Sequence, residues 1–81
     1  MKVKDLIDLG VVVQTRFFKN KPVELSTVLD INIRSYVMLN HIYDPDYRFH
    51  LENGVTIQVL KGVKLIENII IENDIPHVFF G

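Results

Sequence analysis

Residues 47–59 read Tyr47-Arg48-Phe49-His50-Leu51-Glu52-Asn53-Gly54-Val55-Thr56-Ile57-Gln58-Val59, and the way they pair decides the fold. Tyr47, Phe49 and Leu51 alternate with Arg48 and His50; beyond Asn53-Gly54, Val55, Ile57 and Val59 alternate with Thr56 and Gln58. A period of two on both sides of a turn signal is a hairpin. Asn-Gly ordinarily marks a two-residue type I′ turn, but that register sets Leu51 against Thr56 and Phe49 against Gln58, apolar against polar on one face. A three-residue loop, Glu52-Asn53-Gly54 with Gly54 in the left-handed region, removes the conflict. Leu51 then meets Val55, Phe49 meets Ile57 and Tyr47 meets Val59, with His50 opposite Thr56 on the outer face.

The same logic extends forward. A loop at Leu60-Lys61-Gly62 would pair Val59 with Val63 and Ile57 with Leu65, so that Val63 to Ile71 becomes the third strand of a meander, apolar on both faces through Ile69-Ile70-Ile71. A helix through Val63, Ile66 and Ile70 is the competing reading. Asn73-Asp74 turns the chain into Ile75 to Phe80, which Pro76 confines to a sheet edge or a bulge. Backward from the hairpin, Asp44-Pro45-Asp46 reads as a turn. Its two carboxylates have a spacing that could hold Mg²⁺, but ordinary turn chemistry explains them. Between Val23 and Tyr43 helical and strand spacings compete, and the reading adopted is a short strand near Leu29 to Ile33 followed by a helix over Ser35 to Ile42. Val11 to Phe18 reads as a strand with both faces largely apolar, and Lys2 to Leu9 as a short helix ended by Gly10.

Composition agrees with a sheet. Ten Ile and eleven Val stand beside no Ala at all, so the apolar content lies in side chains that suit a pleated surface. The expected fold class is α+β: a small antiparallel sheet with one or two short helices in a single domain over 1–81. A chain of 81 residues with no Cys can neither bury a large core nor staple itself with disulfides. A homodimer or higher oligomer is therefore expected, since a second copy covers apolar strand faces that one copy leaves open. A net charge of −1 and a pI near 6.2 supply no field for a nucleic-acid backbone, which makes a weak nucleic-acid-binding module the least favoured reading. No apolar run approaches a membrane span, and the charged Met1 to Asp8 segment lacks the apolar centre of a signal peptide. A cytoplasmic protein without a membrane partner is the simplest reading.

Catalytic chemistry is not evident. There is no Cys nucleophile and no glycine-rich phosphate loop, and neither Ser26 nor Ser35 lies in a nucleophile elbow. His41, His50 and His77 satisfy no ligand spacing, so no metal and no cofactor are expected, and the protein is read as a non-enzyme. Two surfaces are candidates for binding. In Arg16-Phe17-Phe18-Lys19-Asn20-Lys21 three cations interleave with two aromatics, so Arg16, Phe18, Lys19 and Lys21 could stack a base and neutralise phosphate, whether of a polynucleotide or of a small nucleotide. The plainer account is that the phenylalanines fill opposite faces while the cations solvate a turn. The other candidate is an oligomer interface at Ile70, His77, Phe79 and Phe80, because apolar residues run to the penultimate position, where a chain end is ordinarily polar and frayed.

Met1-Lys2-Val3-Lys4-Asp5-Leu6-Ile7, followed by a strand from Val11, resembles the opening of many small phage and prophage proteins, although Gly10 ends the first helix sooner than in those proteins. The resemblance covers barely ten residues. It implies an origin in a mobile element, action in the host-cell cytoplasm, and a role in blocking or sequestering a host protein; no binding residue carries over from it. The leading expectation is a phage-type accessory or inhibitor protein acting by protein–protein contact. The alternative is a nucleotide-binding or nucleotide-sequestering protein with its phosphate site between subunits.

Overall fold

The computed structural model describes residues 1–16, 19–40 and 45–78. It is a small α+β structure built on a four-stranded antiparallel sheet. The strands are β1 (Val12–Thr15), β2 (Ile33–Asn40), β3 (Pro45–Leu51) and β4 (Thr56–Lys61), with helix α1 (Val3–Asp8) before them and α2 (Val63–Glu72) after them. Their order across the sheet is β1-β4-β3-β2.

The hairpin forms in the three-residue register. Phe49 pairs with Ile57 and His50 with Thr56, and the Leu51 N–H donates to the Val55 carbonyl at 2.8 Å. Gly54 closes the turn at φ 90°, a conformation that costs a side-chain-bearing residue about 1–2 kcal/mol. The Asn53 carboxamide oxygen accepts the Val55 N–H at 3.1 Å, so the turn is fixed by its side chain as well as by its glycine.

Three expected elements are corrected. Val63 to Ile71 is not a third strand but lies within α2, and the expected meander gives way to the β1-β4-β3-β2 order. Gly62, at φ 88°, turns the chain out of the sheet, and Ile66, Ile69 and Ile70 go into the core while Ile71 stays 73% exposed. Tertiary burial of one helical stripe outweighs the β preference of three consecutive isoleucines. The helix expected over Ser35 to Ile42 is not formed in its described part: Ile33–Asn40 is β2 and pairs along β3, while Leu29 to Asn32 lies outside the named strands and follows a 3₁₀ turn at Leu25–Thr27; residues 41 and 42 lie outside the described residues. A helix there would have left the long apolar edge of β3 unpaired. Finally, the strand expected from Val11 is β1 over Val12–Thr15, with Val11 and Arg16 outside it; Val13 and Thr15 form a half-buried face, and Val12 and Gln14 an exposed one.

The short first helix survives because its free ends are met. The Asp5 carboxylate accepts the Lys2 backbone N–H at 2.8 Å, and the Val3 and Lys4 N–H groups donate to the Ile31 and Leu29 carbonyls at 3.1 and 3.0 Å. Without those partners two turns would not hold in water. The core gathers Val3 and Leu6 of α1, Phe49, Leu51 and Ile57 of the hairpin, and Ile66 and Ile69 of α2. Both helices therefore pack on the sheet face that carries Phe49 and Ile57. After α2 the chain returns to the β2 edge, where Tyr36 donates to the Pro76 carbonyl at 3.0 Å and accepts from Val78 at 2.8 Å. That is the edge position Pro76 requires. Among the described residues no helix is long and apolar enough to cross a membrane.

Candidate functional site

The opposite face of the sheet carries the polar chemistry. Strand alternation sends Asp46, Arg48 and His50 of β3 to this face. Register places Gln58 of β4 beside Arg48 and Gln14 of β1 beside Gln58, while the Arg16 N–H bonds to the Thr56 carbonyl one step along. The side chains then link across three strands. Arg48 donates to Asp46 Oδ2 from Nε at 3.2 Å and from Nη2 at 3.0 Å. Gln58 Nε2 donates to Asp46 Oδ1 at 3.2 Å, and Gln58 Oε1 accepts Arg16 Nη1 at 3.0 Å.

Asp46 is only 8% exposed. A buried carboxylate is tolerated where its oxygens are paired and hydrogen-bonded, and here both are. Among the described residues the network holds two guanidinium groups and one carboxylate; the carboxylate binds Arg48, and Arg16 binds a neutral amide instead, at the exposed end of the network. With Gln14, Thr15 and Gln58 it lines a concavity of about 260 Å³. Beside it Thr56 Oγ1 and His50 Nδ1 lie 3.3 Å apart, with Ser35, buried, opposite His50 on β2. Among the described residues no three His, Asp or Glu side chains stand close enough to share a metal ion.

The residues singled out in the sequence are dispersed. Arg16 joins the network, whereas Lys19, on a turn where it and Asn20 take positive φ of 53° and 63°, and Lys21, just after that turn, are exposed. Neither lysine lines the Arg16 concavity. Ile70 is buried in this chain's own core, packed with Ile66 and Ile69, so its burial is satisfied without a second copy. His77 pairs with Tyr36 at the β2 edge, its ring stacked on the tyrosine at 4.8 Å between centroids. Phe18, Phe79, Phe80 and His41 lie outside the described residues.

Asp46, Arg48 and Gln58 are what sequence reasoning missed. The hairpin register already set Arg48 opposite Gln58, which was the available signal; Asp46 was read as turn chemistry with Asp44, but it belongs to β3. On the helical side of the sheet, Tyr47 donates from its hydroxyl to Glu67 Oε1 of α2 at 3.2 Å. Burial raises the Tyr47 pKa above its ordinary value, and the hydrogen bond to Glu67 and that carboxylate's charge add to the shift.

No protein-family model matches the chain, and neither a curated protein nor a solved structure is similar enough to count as a match.

Proposed function

We propose that this is a non-enzymatic binding protein, an accessory or inhibitor of phage type, that acts by protein–protein contact and assembles as a homo-oligomer. One observation carries the reading: both helices lie on one side of the sheet, and on the other side, where Val37, Ser35 and Asp46 are buried, apolar side chains still stand exposed along one end. Both helices pack over Phe49 and Ile57, while the other face bears Val12 at 43%, Leu60 at 50% and Leu39 at 37% exposure. Register brings these residues toward one end of that face, since Val12 pairs with Lys61, the neighbour of Leu60, and Leu39 pairs with Asp46. Exposed apolar residues scattered singly are ordinary; a group on one sheet face beside an organised polar network has the composition of a contact surface. The occupant favoured by chain length is a second copy, because a domain this small gains most by burying such a face against itself.

The test is the double variant Val12→Asp, Leu60→Asp, examined by light scattering and circular dichroism. The reading expects the assembly to fall to monomer mass with the spectrum of the folded chain retained. A folded double variant that keeps the mass of the parent assembly would contradict it.

A further inference from the structure

We infer that the concavity at Arg16 is a binding site for a phosphate group carried by a small molecule, with Arg16, Gln14 and Gln58 supplying its donors and its shape. The inference goes beyond the contact reading and stands without it. The carboxylate nearest in the network, Asp46, already receives two donors from Arg48 and one from Gln58. Because Gln58 Nε2 is committed to Asp46, its Oε1 is turned toward Arg16 and holds one guanidinium N–H. A neutral acceptor orients a guanidinium without cancelling its charge, so Arg16 keeps its positive charge and its other N–H groups for a ligand.

Gln14 completes the site. It is the cross-strand partner of Gln58, lines the same concavity, and its carboxamide makes no hydrogen bond within the described structure. A phosphate can accept from the Arg16 fork with two of its oxygens and from the Gln14 amide with a third. Size decides how much of a ligand is held. Pockets that enclose whole small molecules run from about 300 to 1,000 Å³, and this one is about 260 Å³ at the surface, so it takes the phosphate and leaves the remainder of the molecule outside. This relocates the nucleotide expectation from the Arg16, Phe18, Lys19, Lys21 segment to a cross-strand site.

The experiment is a titration of ¹⁵N-labelled protein with inorganic pyrophosphate at constant ionic strength, followed by NMR, with ATP in a parallel arm. The expected result is a saturable shift at Gln14, Arg16 and Gln58 with both ligands, since the phosphate is the part recognised. Arg16→Gln, at an exposed position, should weaken the affinity about ten- to a hundredfold, as loss of a charged hydrogen-bonding partner does. Arg16→Lys keeps the charge without the fork and should fall between. Pyrophosphate shifts that persist undiminished in folded Arg16→Gln would overturn the assignment. So would the absence of a saturable shift at Gln14 and Gln58 through the millimolar range, or ATP shifts confined to other residues.

Discussion

Asp46 is nearly buried on a sheet face of polar side chains, with Arg48 bound to one of its oxygens and Gln58 to the other. Asp46→Ala strips acceptors from two partly buried donors at once, and a loss of about 1–3 kcal/mol in urea unfolding is expected. Arg16→Gln removes one bond at an exposed site and should change stability by less than about 0.5 kcal/mol. Equal losses at the two positions would contradict the assignment of Asp46 as the centre of the network. Tyr47 makes a different prediction. Its folded pKa is raised, so the native state holds the phenolic proton more tightly than the unfolded chain does. The stabilisation is complete below the unfolded value, near 10, and is lost as pH rises through the folded one. The thermal midpoint should therefore decline above pH 10, and Tyr47→Phe should flatten that decline while costing about 1 kcal/mol at neutral pH. A variant that declines as steeply as the parent would show that another group is responsible. At this scale the sequence was half legible: Arg48 facing Gln58 followed from the hairpin register, but nothing in Asp44-Pro45-Asp46 told a turn carboxylate from a buried strand one.

The elements divide by how well their periodicity discriminates. The β3–β4 hairpin was readable because polar residues interrupt the apolar ones on both strands, so only one register keeps the faces apart. β2 and α2 were not readable, because Tyr36 to Leu39 and Ile69 to Ile71 are apolar at consecutive positions and fit either period. What settled them was partnership, the β3 ladder for one and the sheet face for the other. The helical assignment of α2 has a direct consequence. Ile66, fully buried, should cost about 2–5 kcal/mol on truncation to Ala. Ile71, on the solvent side of the helix, should tolerate Lys within about 0.5 kcal/mol. Chemical denaturation of the two variants separates the readings, because comparable destabilisation at both positions is the outcome of a strand covered on two sides and not of this helix.

At the scale of the whole molecule, the arrangement is a sheet with its helices on one side and a wired polar face on the other, flanked by Val12, Leu39 and Leu60. The antiparallel α+β class followed from the Ile and Val content and from the hairpin. The strand order did not, since β1 reaches across to β4 through a pairing of residues far apart in sequence that local pattern does not encode. The exposed apolar end of that face, at Val12, Leu39 and Leu60, is the basis of the proposed mode of action, and its first requirement is that a copy of this chain does not remain alone. Sedimentation equilibrium of the unmodified protein over a hundredfold range of concentration measures this directly. The account predicts a molar mass of at least twice 9.4 kDa at the upper end of the range, and a folded species that stays at 9.4 kDa throughout the range would contradict it.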